Sequence, residues 1–75
     1  MRRKADCMKM NHVVSSDLES VGYEDGTLYI RFHSGGTYRY SGVPVSVYRG
    51  LMSAASHGKY FHANVKGLYP YARIT

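Results

Sequence analysis

The sequence predicts an α+β domain: a three-stranded antiparallel β-meander, then one main helix and a second short helix packed on one sheet face, then an extended C-terminal tail. Three observations carry this expectation. Apolar and polar residues alternate in the stretch from Leu18 to Ser41, and Asp25-Gly26 and Gly35-Gly36 punctuate it. After Pro44 the apolar residues recur at three- and four-residue intervals instead.

The first strand is expected over Leu18 to Tyr23, where Val21 and Tyr23 alternate. Asp25-Gly26 is a strong hairpin signal, because glycine accepts the positive φ of a primed turn. In the second strand, Leu28 to His33, the residues Leu28, Ile30 and Phe32 point one way and Tyr29, Arg31 and His33 the other. Ser34-Gly35-Gly36 turns the chain into a third strand, Thr37 to Ser41. Pro44 suits a first helical turn, since its missing N–H has no partner to lose there. The stripe of the main helix is Val47, Tyr48, Leu51, Met52, Ala54 and Ala55. Gly50 inside it costs about 1 kcal/mol against alanine, so either a neighbour approaches closely or the helix tolerates the loss. Ser56 caps the second helix, which runs through Tyr60, Phe61 and Val65 to a stop at Gly67. Leu68 to Ile74 is extended around Pro70 and either adds an edge strand or lies across the sheet.

Seventy-five residues make one domain, read as residues 13–75 behind a disordered basic lead, residues 1–12. With one cysteine, Cys7, no intrachain disulfide forms. His12, His33, His57 and His62 match no zinc spacing, so neither a metal nor another cofactor is expected. No apolar run approaches the roughly 18 residues of a membrane span, and no export signal is evident. The expected location is cytoplasmic, with no membrane contact, as a monomer or weak homodimer. The net charge of +5 is unevenly spread: residues 1–10 carry +3 and residues 11–75 carry +2. Nothing after Asp25 is acidic, which leaves residues 26–75 at +6 and favours a basic patch if the fold gathers those cations.

The triplet Tyr38-Arg39-Tyr40 poses the main functional question. On one strand the two tyrosines share a face and Arg39 takes the other. An unpaired guanidinium is costly to bury, whereas a tyrosine ring buries well once its hydroxyl is satisfied. The tyrosines therefore read as core, and Tyr29, Arg31, His33, Thr37 and Arg39 as the outer face. There an aromatic ring and two guanidinium groups can stack a base and neutralise its phosphate. Open tyrosine rings would instead mark a stacking platform. A second candidate is an anion site at Ser56, Gly58 and Lys59, where helix-start N–H groups meet a cation. The candidate nucleic-acid-binding set is Tyr29, Arg31, Arg39, Lys59, Tyr60, Lys66 and Arg73. No catalytic residues are assigned, because no nucleophile–base or paired-carboxylate spacing is present.

Several separated motifs recur together: Ser15-Ser16, Gly22-Tyr23, Tyr38-Arg39-Tyr40, Val43-Pro44 with Val47-Tyr48, Ser56-x-Gly58-Lys59-Tyr60-Phe61, Val65-Lys66-Gly67 and Tyr69-Pro70-Tyr71-x-Arg73-Ile74. In these the chain, from Ser15 to Ile74, resembles the KTSC domain family, named for the C-terminus of some lysyl-tRNA synthetases. The resemblance implies a small stand-alone bacterial or phage-type module and, through the synthetase attachment, RNA binding. The expected function is a non-catalytic module for RNA or single-stranded nucleic acid. The alternatives are a protein-interaction module using Tyr69-Pro70-Tyr71 and the sheet edges, and a binder of a nucleotide or other small anion.

Overall fold

The structure, a computed structural model, describes residues 10–74. It is an α+β fold whose sheet has five strands rather than the three expected. The strands are β1 (Asn11–His12), β2 (Leu18–Glu24), β3 (Thr27–Phe32), β4 (Thr37–Tyr40) and β5 (Tyr71–Arg73). They lie side by side in chain order, each antiparallel to the next. Helices α1 (Val45–Ser53) and α2 (His57–Asn64) occupy the connection from β4 to β5.

The three inner strands follow the alternation in the sequence. Asp25 and Gly26 both adopt left-handed φ values, 51° and 77°, as a two-residue primed turn requires. The register pairs Leu28 with Tyr40 and Ile30 with Tyr38 on one face, and Tyr29 with Arg39 on the other. In β2 the register shifts between Leu18 and Ser20. That bulge re-phases the strand, so Leu18 and Val21, three apart, are both fully buried.

The two added strands lie where alternation could not reveal them. Asn11 and His12, assigned to the disordered lead, pair with Val21 and Ser20. The rest of that expectation, residues 1–9, lies outside the described residues. The C-terminal stretch takes the edge-strand alternative. Tyr71 and Arg73 lie opposite Tyr40 and Tyr38, flanked by bonds from Ser41 N to Pro70 O (2.9 Å) and from Ile74 N to Thr37 O (2.8 Å).

The core joins Leu18, Val21, Leu28, Ile30 and Tyr40 of the sheet to Val43, Leu51, Phe61 and Val65. Helix α1 stops at Ser53, so Ala54 and Ala55 fall outside the stripe expected of it. Leu51 O accepts from Ala54 N and from His57 Nδ1 (2.7 Å), which satisfies the helix end while the chain turns at an extended Ala54. Ser56 caps α2 by accepting from Lys59 N. Tyr23 stacks on Tyr48 at 4.9 Å and donates its hydroxyl to Val43 O, pinning α1 to β2.

Gly50 of α1 lies against the Tyr60 side chain of α2. A Cβ at this position would overlap the Tyr60 hydroxyl and lie 2.7 Å from the ring carbon that bears it. Gly50→Ala is therefore expected to lower stability, although alanine favours helix by about 1 kcal/mol. In a Tyr60→Ala background the same change is expected to raise stability by up to about 1 kcal/mol. A double-mutant cycle by thermal melting reads the reversal of sign. A rise in both backgrounds would show that the Tyr60 ring moves aside freely, and a fall in both that something other than this ring opposes the alanine.

Candidate functional site

The helices leave part of their side of the sheet uncovered. Between β3–β5 and the C-terminal end of α2 lies an open groove of about 440 Å³. Phe32, Tyr38, Tyr40 and Tyr71 line it from the sheet, and Phe61, His62 and Lys66 from the helix side. Strand alternation explains the first set: these four residues occupy cross-strand positions on the face that bears the core.

The rings form one connected cluster. Phe61 meets Phe32 and Tyr40 edge-on at 5.5 and 5.4 Å, while Tyr71 tilts against Tyr38 and Tyr40 at 5.9 and 5.7 Å. Exposure rises from Tyr40 at 4% to Tyr71 at 63%. The Tyr38-Arg39-Tyr40 question thus receives a divided answer. Both tyrosines face the core side, as their alternation predicts, but Tyr40 is buried there while half-buried Tyr38 and exposed Tyr71 continue its surface into an open groove.

One cation lines the groove: Lys66, two residues past the end of α2. Arg73 lies beside it on the same sheet face, across from Tyr38. Gly36 is buried beneath both. A Cβ there would come within 3.1 Å of the Tyr38 ring and 3.3 Å of Arg73 Nε, so a glycine lets ring and guanidinium pack over the β3–β4 turn.

Burial pushes the Tyr40 hydroxyl up to about 12, helped by the neighbouring Tyr38 and Tyr71. The charged form of tyrosine is the anion, so its folded pKa lies above the ordinary value of about 10. The stability it contributes is complete below pH 10 and is lost as pH rises towards 12. Alkaline unfolding of the wild type is expected to steepen across this window, and Tyr40→Phe to remove that component. Identical pH profiles for the two would contradict the assignment.

The seven residues predicted to contact nucleic acid are not brought together. Tyr29, Arg31 and Arg39 occupy the opposite, open sheet face, where Arg31 Nε pairs with Glu19 Oε1 at 3.1 Å. Tyr29 and Arg31 line a separate depression there with His12, Thr37 and Ile74. Lys59 stands at the start of α2, and Tyr60 packs towards Gly50 between the helices. Only Lys66 and Arg73 belong to the groove side. Phe32, His62 and Tyr71 were absent from the predicted set. The i, i+4 spacing of His62 and Lys66, and the matching parity of Tyr71 and Arg73, were the available signals.

At the predicted anion site, Ser56 already caps the helix, and Asp17 Oδ2 lies only 3.4 Å from where a Gly58 Cβ would stand. The negative group that a helix start favours is thus supplied by the chain's own carboxylate. Asp17 Oδ2 also meets His62 Nε2 at 3.4 Å, and His33 Nε2 donates to Ser15 O at 2.9 Å. Among the described residues, no group of three or more histidines, cysteines or acids is placed to hold a metal ion, and no helix is long and apolar enough to cross a membrane.

Comparison with known proteins places this architecture. Residues 14–69 match the family model of the KTSC domain. An uncharacterized protein of Stutzerimonas stutzeri is 41% identical over 70 residues, which cover 89% of this chain and 99% of that protein. Lysine–tRNA ligases of Trichormus variabilis and Nostoc sp. are each 41% identical over 49 residues. That match covers 65% of this chain but only 9% of each ligase, so the chain corresponds to a small segment of those enzymes. The crystal structure of a KTSC domain protein from Yersinia pestis superposes with a TM-score of 0.87 at 38% identity, covering 91% of this chain and 99% of that one. Family model, full-length relative and solved structure agree: the chain belongs to the KTSC domain family.

Proposed function

We propose that the domain is a non-catalytic module that binds RNA or another single-stranded nucleic acid, taking a base into the aromatic groove and its phosphate against Lys66 and Arg73. The observation that carries this reading is the continuous ring surface from buried Tyr40 to exposed Tyr71, with cations at its edge. Stacked aromatic rings accept any base by its π-face, and cations meet the backbone. The similarity to a segment of lysine–tRNA ligases, enzymes named for tRNA, points the same way.

The test is anisotropy of a labelled single-stranded RNA titrated with the protein at several salt concentrations. Affinity is expected to fall as salt rises, because phosphate contacts release counterions. Lys66→Ala is expected to weaken binding and to flatten its salt dependence. Arg31→Ala, on the opposite face, is expected to change little. The reverse pattern would move the interface to the open sheet face, and no binding at low salt would overturn the reading.

A protein partner is the second reading. Tyr71, 63% exposed, lies on β5 at the sheet edge, and Ile74, 43% exposed, follows it, where an added strand would pair. Such binding would depend little on salt.

A further inference from the structure

Resting on the nucleic-acid reading above, we infer that the groove holds one unpaired nucleotide, base and phosphate together, and not a continuous run of strand. Its volume, about 440 Å³, lies at the low end of the roughly 300–1,000 Å³ typical of small-ligand sites. Tyr38 and exposed Tyr71 flank it from the sheet and His62 from α2, while the buried Tyr40 and Phe61 rings, in edge contact at 5.4 Å, close its floor. A base laid on the Tyr38 and Tyr71 rings must leave its own stack, at a cost of a few kcal/mol when it is paired and least when it is already free.

The charges set the same limit. Lys66 lines the groove and Arg73 shares its sheet face, whereas Arg31 and Arg39 lie on the far side of the sheet. Lys59 stands at the other end of α2, in its first turn. Between Lys59 and Lys66, His62 meets Asp17, which puts a carboxylate on the path that a phosphate backbone would follow towards Lys59. A strand extended in that direction exchanges attraction for repulsion after one nucleotide. The required chemistry, an unstacked base with a nearby phosphate, is shared by a free mononucleotide and by a looped-out or terminal residue of RNA.

The experiment titrates the full chain with adenosine monophosphate, with adenosine strands of two, four and eight residues, and with an RNA hairpin that is either blunt or extended by one unpaired nucleotide. After correction for the number of binding registers, affinity is expected to change less than about threefold from two to eight residues. The logarithmic salt slope should stay near about −0.7 at every strand length, the value for one phosphate contact on a single strand. The hairpin should bind only with its overhang. Affinity rising tenfold or more with length, with a steepening salt slope, would overturn the single-nucleotide site while keeping the RNA reading, as would equal binding of the blunt hairpin. Binding of the mononucleotide without any strand would keep the site and overturn the RNA reading. No binding of any probe would overturn both.

Discussion

Phe61→Ala is expected to remove about 3–5 kcal/mol of the domain's stability. The Phe61 side chain is 2% exposed and packs edge-on against Phe32 and Tyr40, so it joins α2 to the middle of the sheet. Truncating a buried phenylalanine costs about 3–5 kcal/mol, because lost transfer energy and a residual cavity add. A domain of this size has a total stability of only about 4–11 kcal/mol. The substitution thus removes a large share of the whole, with no disulfide to limit the damage: the chain has a single cysteine. Urea denaturation followed by circular dichroism gives the magnitude. A loss below about 1.5 kcal/mol would show that α2 is held on the sheet by other contacts.

That weight on one side chain was partly legible in the sequence. Tyr60 and Phe61 are adjacent on a short helix, so only one can face the sheet, and the structure buries Phe61 while leaving Tyr60 half-buried. The meander was legible because its signals are local: period-two alternation and glycine turns whose φ values only certain residues accept. Strand β1 was not, and β5 was legible only as one of two alternatives for the tail, for the same reason. They are two and three residues long, too short to show a period, and exist only because a neighbour offers a free edge. The premature end of α1 was equally hidden, since it depends on His57 reaching back to the Leu51 carbonyl.

The candidate site divides along the same line. Parity within β3 and β4 assigned Tyr38 and Tyr40 to one face and Arg39 to the other, and the register has them so. Parity says nothing about how far the helices extend over that face. Because α1 is short and α2 has only eight residues, the cover stops before β5, and residues that read as core become a groove wall. Nor does net charge reveal pairing. Arg31 looked available in a segment without acids, yet the bulge in β2 brings Glu19, an earlier residue, within 3.1 Å of it.

Tyr71→Ala should separate binding from folding more cleanly than any other groove substitution. Tyr40 cannot serve, since it belongs to the buried core and its loss would damage the fold. The Tyr71 ring is 63% exposed, while β5 is held by its backbone pairing with β4 and by the bonds from Ser41 to Pro70 and from Ile74 to Thr37. Removing the ring should therefore shift the melting temperature little. A base stacked on an aromatic side chain is worth about 1–3 kcal/mol, so affinity for single-stranded RNA is expected to fall roughly 5- to 150-fold. Tyr71→Phe should retain most of it, because stacking needs the ring and not the hydroxyl. Tyr29→Ala supplies the counterpart on the opposite sheet face, where the register places it across from Arg39. If Tyr29→Ala weakens binding and Tyr71→Ala does not, the recognition surface is the open sheet face. If neither does, the aromatic rings serve packing alone and any affinity is carried by charge, in which case salt should abolish it without regard to sequence or stacking.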